Sequence, residues 1–381
     1  MAKINRVLGL INLVEPDFQM KSLTAHRPVA AIPFGGRYRI IDFVLSNMSA
    51  AGIDTIGIYL QDKERSLMDH IRSGRPWDMD RMSGGIFYFS LHSTPDHSYD
   101  LKGDIMNYYN NIDIMDKSNC EYAVIAGSNM VMNIDLKEVV DAHVESKADV
   151  TVVYKNYDSC DPYYNNAYVV NTDDDGKVRS FGIKIVKRAG QNTTEMTKVS
   201  TEIYVLKVSL LKELIEDAVS SGGSVYMREV LHDAARLYNY RGHEFKGFIA
   251  FISSIGNYYN SNMDLLNEKH LMDLFYGSTK INTKIRNENP SYYGPESNVT
   301  NSLIANGCEI EGEVVNSILF RRVIVEKGAR IENSIIMQNG TIKAGANLKN
   351  CIADKNVIVS EGQIMSGTEK NPLVLVKDSV I

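Results

Sequence analysis

The spacing of apolar residues along the chain changes character near residue 300. Before that point, short β-branched runs alternate with segments whose apolar residues recur every three or four positions. Beyond it, a single tetrapeptide pattern repeats. Residues 7–13 are apolar and read as a first strand. Phe43, Val44, Met48 and Ala51 have the spacing of a helix with one buried face. Gly35 and Gly36 ahead of it suit a tight turn. Asp42 lies where a carboxylate meets the orphan N–H groups of a helix start, and Gly52 reads as the residue that ends the helix. Residues 53–60 follow as a buried parallel strand. Together these make a βαβ unit. It leaves residues 14–33 at the carboxyl ends of the sheet, where open α/β folds bind ligands.

The alternation continues. Residues 122–126, 150–154 and 203–206 read as strands, and 245–252 as extended chain. Residues 136–144, 209–219, 227–237 and 263–275 read as helices, with Ser209 a candidate cap. The cluster Asp173-Asp174-Asp175-Gly176 lacks the glutamate a calcium loop requires and reads as a solvated hairpin. Residues 1–280 are therefore expected to form a mainly parallel sheet with helices on both faces. Residues 281–298, with NENPSYYGPESN at their end, read as a polar linker.

From 299 to 381 the pattern is a repeat. Asn301-Ser302-Leu303-Ile304 returns from Asn316, Asn333 and Asn350 (there as Asn-Cys-Ile-Ala), at offsets of 15, 17 and 17. Three sides of roughly six residues make one coil of a parallel β-helix. Ile318 and Ile335 should then point inward and stack, with Gly312, Gly328, Gly345 and Gly362 at corners. An ordinary β-sandwich is the weaker alternative.

Composition narrows the function. The chain has 381 residues, 44% hydrophobic and 23% charged, ordinary for a soluble globular protein of two domains. A net charge of −6 gives no general surface for nucleic acid or anionic membrane. No apolar run is long enough for a membrane span. Lys3 and Arg6 precede an apolar run, as in a signal peptide, but the run is short and no small-residue cleavage site follows. Cys120, Cys160, Cys308 and Cys351 are widely spaced, which fits a reduced, cytoplasmic setting.

The stretch FGGRYRIIDFVLSN, from Phe34 to Asn47, closely resembles the signature of bacterial glucose-1-phosphate adenylyltransferases (ADP-glucose pyrophosphorylases). The resemblance runs to about residue 280 and resumes in the repeats. It implies a Rossmann-like nucleotidyltransferase domain followed by a left-handed parallel β-helix. It also implies transfer chemistry between ATP and glucose 1-phosphate, which depends on positioning and charge neutralisation with Mg²⁺ held by carboxylates.

The sequence departs from that family where the chemistry should be. The family's G-G-x-G-x-R-L loop is replaced by residues 12–24, which lack glycine and carry Glu15 and Asp17 against a single Lys21. Its R-A-K-P segment becomes Arg27-Pro28-Val29-Ala30, with Val29 for the lysine. Its two metal aspartates fall at Ser128 and Phe251. Its S-M-G becomes Ser200-Thr201-Glu202, and G-T-A-D-A becomes Gly103-Asp104-Ile105-Met106-Asn107. Lys184 or Lys187 is the candidate remnant of its sugar-phosphate lysine. No catalytic residue and no metal ligand is assigned to this chain. Arg27 and Arg39 match arginines that help bind anionic effectors in the family, although salt bridging explains them equally well. Asp42, Ser46 and Asn47 also match and need no chemistry beyond helix packing.

Within the family, the resemblance is to the regulatory, D-type (GlgD) branch. It implies a non-catalytic or weakly catalytic subunit that assembles with a catalytic subunit into a hetero-oligomer, a heterotetramer, and responds to a phosphorylated effector. Mg²⁺ would belong to the catalytic partner, and no cofactor is expected here. A slow but genuine adenylyltransferase and a stand-alone sugar-phosphate or nucleotide sensor are the alternatives. A hexapeptide acyltransferase is disfavoured, because no histidine follows His270 to serve as base.

Overall fold

The computed structural model describes residues 6–14, 18–60, 63–90, 103–158, 164, 167–184 and 196–381. Glu15, Asp17, Cys160 and Lys187 lie outside these residues. Among the described residues one sheet has nine strands. They are β1 (Val7–Asn12), β2 (Thr55–Leu60), β3 (Gly85–Ser90), β4 (Tyr122–Ala126), β5 (Val150–Asp158), β6 (Tyr168–Thr172), β7 (Val178–Ile183), β8 (Met196–Lys207) and β9 (Tyr240–Glu244). The order is β7-β6-β8-β4-β1-β2-β3, with β5 pairing both β8 and β9. The run β4-β1-β2-β3 is parallel. The long strand β8 runs antiparallel to β4, β5 and β6, so the sheet is mixed.

Strand residues alternate between two cores, as the pleat requires. Ile11, Ile58 and Val124 face a cluster with Ile41, Leu45 and Met48 of the helix Ile40–Ala50. Leu10, Tyr59 and Ile125 face another with Tyr108, Leu211 and Leu231. Helices thus cover both faces. The helix Ile40–Ala50 starts earlier than its apolar spacing suggests, and residues 40–48 are all buried rather than one face only. Its polar residues are satisfied internally: Asp42 Oδ2 accepts the Arg39 N–H at 2.9 Å, and Asn47 Nδ2 donates to Met132 O at 3.0 Å. Gly52 ends the helix at φ +76°, with Ile53 N–H donating to Met48 O, the paired bonds of a Schellman motif.

Other expectations shift at element ends. The helix expected at 263–275 is two, Ile255–Met263 and Glu268–Phe275, joined by a 3₁₀ turn over Asp264–Leu266. Ser209 sits inside the helix Val208–Ser221 and does not cap it. The extended chain at 245–252 holds only the short strand Ile249–Phe251. Asp173 to Gly176 does form a hairpin turn, between β6 and β7.

The repeats form three parallel five-stranded sheets stacked coil on coil. The first coil begins inside the stretch read as a linker, because Tyr292–Tyr293 pairs with Glu309–Ile310. The repeated asparagines Asn301, Asn316, Asn333 and Asn350 turn corners at φ between 44° and 50°, a conformation asparagine tolerates. Gly328, Gly345 and Gly362 also have positive φ. Gly312 does not: it is small because a Cβ there would lie 2.4 Å from Ala329 O.

One expectation is reversed in direction. Ile318, Ile335 and Ile352 do stack in register. They belong, however, to a cluster with Phe34, Phe43 and Tyr258 of the first domain. The coil interior is filled instead by their neighbours Leu319, Ile336 and Ala353. Both side-chain sets of this strand column are buried, because the β-helix lies against the first domain. Sequence alternation cannot mark which set faces inward when both are apolar. Ile335→Asp is therefore expected to loosen the docking of the β-helix rather than to collapse its coils. The cost should be about 3 kcal/mol or more. Thermal unfolding should show a lowered first transition, with the coil signal persisting to higher temperature.

Candidate functional site

Two regions carry polar groups in an arrangement suited to a ligand. The first lies at the carboxyl ends of β1 and β4, where the βαβ argument placed it. It holds a cavity of about 30 Å³, barely room for one water. Asp104 is buried there, hydrogen-bonded by Asn12 Nδ2 and by the Met227 N–H at 2.6 Å. Burial pushes its carboxyl up to about 6, against the pull of those donors and of Arg228. Glu202 and Arg228 also line the cavity.

The residues assigned by resemblance are brought together, but without charge. Strand Met130–Met132 pairs with Ile249–Phe251, and Ile252 N–H donates to Asn129 O at 2.8 Å, so Phe251 lies two positions from the point opposite Ser128. Both are buried, and the Phe251 ring stacks 6.3 Å from that of Tyr164. A hydroxyl and a phenyl ring do not fit a hard divalent cation, which takes carboxylate oxygens. Among the described residues no group of three His, Cys, Asp or Glu is placed to hold a metal. Val29 is buried in an apolar cluster with Phe248 and Ala250. Lys21 is exposed, and Lys184 is buried with its Nζ 3.4 Å from Asp158 O.

The second region lies between the first domain and the β-helix. A cavity of about 180 Å³ is lined by Arg37, Arg39, Arg286, Arg321, Arg322 and Lys355, together with His70 and Glu288. The single lining carboxylate, Glu288, meets Arg321 at 3.7 Å and Arg322 at 3.8 Å. Arg39 donates to neutral partners, Ser66 O at 2.6 Å and Ser66 Oγ at 3.2 Å. Burial lowers Arg39 to about 10 despite Asp42, with Arg27 and Arg286 adding to the effect. Burial, Arg39 and Arg27 together hold Lys355 down to about 7. Like charges crowded in a partly dry space are a receptor for an oxyanion.

The structure does not bring Arg27 and Arg39 to one anion seat. Arg27 is committed elsewhere: Nη2 donates to Asp354 Oδ2 at 2.6 Å and Nε to Leu23 O at 2.8 Å, with both side chains of the ion pair buried. The cavity's other cations come from chain segments far apart in sequence, and no local motif announces them. Lys355 follows directly on Asp354, the partner of Arg27. Removing Arg27 would strand a buried carboxylate, so Arg27→Ala is expected to lose about 3–5 kcal/mol in denaturant unfolding. Arg27→Met combined with Asp354→Leu should recover most of that loss.

Residues 19–252 match the family model described as nucleotidyl transferase, and 289–371 the one described as GlmU-like, C-terminal hexapeptide. The second match agrees with a left-handed winding of the coils. The chain is 36% identical over 379 residues to the glycogen biosynthesis protein GlgD of Bacillus subtilis (strain 168), covering 99% of this chain and 97% of that one. It is 36% identical over 328 residues to GlgD of Geobacillus stearothermophilus, covering 85% and 82%. It is 32% identical over 320 residues to the glucose-1-phosphate adenylyltransferase of Mycoplasma mobile (strain ATCC 43663 / 163K / NCTC 11711), covering 82% and 81%.

Proposed function

The chain belongs to the glucose-1-phosphate adenylyltransferase family of nucleotidyltransferases, and from that premise we propose that it is a regulatory subunit acting in glycogen biosynthesis. On this reading it assembles with a catalytic subunit into a hetero-oligomer in the cytoplasm. There it tunes ADP-glucose synthesis from ATP and glucose 1-phosphate, with little or no turnover of its own. The observation that carries the proposal is the pairing of an intact framework with an apolar reaction site. Val29, Ser128 and Phe251 are all buried and none can neutralise a transferring phosphoryl group. Mg²⁺ belongs to the catalytic partner. Among the described residues no helix is long and apolar enough to cross a membrane.

The purified chain, given ATP, glucose 1-phosphate and Mg²⁺, is expected to turn over on the order of 10³-fold or more below a catalytic subunit. Mixed with that subunit, it should co-elute on gel filtration and change the mixture's saturation curve. Slow but Mg²⁺-dependent turnover by the isolated chain would establish the alternative of a slow but genuine enzyme, and turnover at a catalytic subunit's rate would overturn this reading.

The effector site we propose is the cavity between the two domains, with Arg39 a ligand and Arg27 a structural support. Its ligand would be a phosphorylated metabolite. Because the cations come from both domains, a bound anion would draw them together and shift subunit packing, within the usual ~1–3 kcal/mol of allosteric coupling. The same cavity supports a second reading, a sensor that binds its anion with no protein partner. Arg39→Ala with Arg321→Ala should abolish the mixture's response to phosphorylated metabolites. Binding should also depend on pH. An anion favours the charged ammonium of Lys355, whose value lies near 7. Above that pH, binding takes up a proton. Affinity should therefore weaken as pH rises through and beyond about 7, by up to about tenfold per pH unit. Calorimetry with sulfate, which does not titrate in this range, in buffers of different ionisation heat reads that proton directly.

A further inference from the structure

We propose that a third cavity, at the amino ends of β4 and β5, binds a small phosphomonoester, with its phosphate held by Lys147, Lys207 and the Nε2–H of His143. The inference goes beyond the regulatory reading and does not rest on it, because every residue of the site belongs to the first domain. The cavity measures about 360 Å³ and lies at the opposite end of the sheet from the site of Ser128 and Phe251. Tyr122 opens β4 and Val150 opens β5, while the antiparallel β8 finishes there with Lys207 paired to Tyr122. The helix Leu136–Ser146 ends at this edge, and the helix Val208–Ser221 begins at it.

His143 carries the argument. It is 1% exposed, yet it forms part of the cavity wall. Its Nδ1 lies 2.8 Å from Thr151 Oγ1, and among the described residues its Nε2 has no hydrogen-bond partner. Thr151 is also buried, and among the described residues its hydroxyl proton has no acceptor other than this ring. A buried hydroxyl leaves its proton unpaired only at a cost, so it donates to Nδ1 and the ring's own proton sits on Nε2. Burial and Lys207 hold the imidazole down to about 4, which keeps it a neutral donor. The Tyr122 ring packs edge-on against it at 5.5 Å and fixes its plane. Lys147 and Lys207 stand on the same wall, and among the described residues neither has an ion pair. Lys147 ends its helix at φ +51°, left-handed backbone that glycine adopts freely, so a cation is kept where glycine would suit the chain better. Lys207 precedes the helix Val208–Ser221, whose first turn has neither a side-chain cap nor an acidic residue, and Leu210 of that turn lines the cavity. The positive end of that helix is therefore uncompensated. The negative groups nearby are committed. Asp149 Oδ2 accepts the Asn239 N–H at 2.8 Å, and Glu213 Oε1 accepts the Tyr238 hydroxyl at 2.9 Å. The last carbonyls of the helix Leu136–Ser146 are also taken, His143 O by Ser146 Oγ and Val144 O by the Lys147 N–H. Two ammonium groups, a helix start and an imidazole N–H match the three terminal oxygens of a phosphomonoester better than the two of a carboxylate. The space would hold about twelve waters, more than a phosphate ion needs, and Val144, Ala148 and Leu210 offer an apolar bed for a compact organic body.

The test uses the full chain in an Arg39→Ala, Arg321→Ala background, which silences the cavity between the domains. The probes are phenyl phosphate and inorganic phosphate at about pH 8, where both are dianions. In calorimetry phenyl phosphate should bind at least roughly tenfold tighter than inorganic phosphate, the share of the apolar bed. Lys147→Gly with Lys207→Ala should weaken phenyl phosphate on the order of a hundredfold, about tenfold for each charge-assisted pair. Because glycine suits the backbone at 147, this variant should melt at or above the parent temperature, which separates lost binding from lost folding. In nitrogen NMR of the histidine-labelled chain, phenyl phosphate should shift the Nε2 signal of His143 and leave that of His232, which is bonded to the Tyr204 hydroxyl, in place. No binding of phenyl phosphate, binding that survives the two lysine changes, an unmoved His143 signal, or inorganic phosphate binding as tightly as phenyl phosphate would each overturn the proposal.

Discussion

The ion pair between Arg27 and Asp354 is the constraint on which the relation of the two domains rests. It joins the segment before the Gly35-Gly36 hairpin to the β-helix, and both side chains are almost wholly buried. Such a pair contributes little net stability compared with apolar groups of the same volume, because both charges lose their water. Its effect is selective. Any docking of the β-helix that separates the two leaves one buried charge unpaired, so one arrangement is favoured over near neighbours. Around it, Phe34, Phe43, Tyr258, Ile318 and Ile335 supply the apolar area that binds the surfaces. The turn fits the same surface closely: a Cβ on Gly36 would already touch Ile318 at 3.7 Å.

That docking creates the cationic cavity. Arg37 and Arg39 come from the hairpin, Arg286 from the connection, and Arg321, Arg322 and Lys355 from the coils. The hairpin's arginines would no longer feel those of the coils if the domains separated by more than a Debye length. The repulsion among them is therefore a cost of docking, offset by the ion pair beside them and by apolar burial. An anion removes that cost only in the docked state. On the effector reading, the cavity would report, and set, how firmly the two domains are held.

Much of this was legible in the chain. The turn, helix and strand from Gly35 to Leu60 follow from glycine, an N-terminal carboxylate and β-branched runs. The β-helix follows from an asparagine recurring at one corner of successive coils with aliphatic residues behind it. What was not legible depended on contacts between distant segments. Ile318 and Ile335 face the first domain, which no local period can reveal because both sides of their strands are buried. The mixed half of the sheet turns on β8, whose bulge leaves no mark in composition. Arg27 and Arg39 look alike in sequence, and only the position of Asp354 separates an arginine held in a buried ion pair from one that lines the cavity. Glu202 was noticed as a departure at a glycine position. Its positive φ and its place in the bulge of β8 required coordinates.

The presence of Val29, Ser128 and Phe251 where the family resemblance implies a lysine and two carboxylates also has a physical logic in the fold. A site built to hold Mg²⁺ and a triphosphate keeps carboxylates and a lysine partly desolvated, at a cost in stability that the ligands relieve. Here Val29 and Phe251 each join an apolar cluster, and Ser128 is buried. Each replacement turns a desolvated charge into packing. The framework around the site therefore has no reason to loosen when the chemistry goes. It becomes a firmer platform for the hairpin and helix that carry the β-helix. On the proposed reading, a chain that binds neither Mg²⁺ nor ATP would hold its two domains together without either ligand, through the apolar contacts and the ion pair that join them.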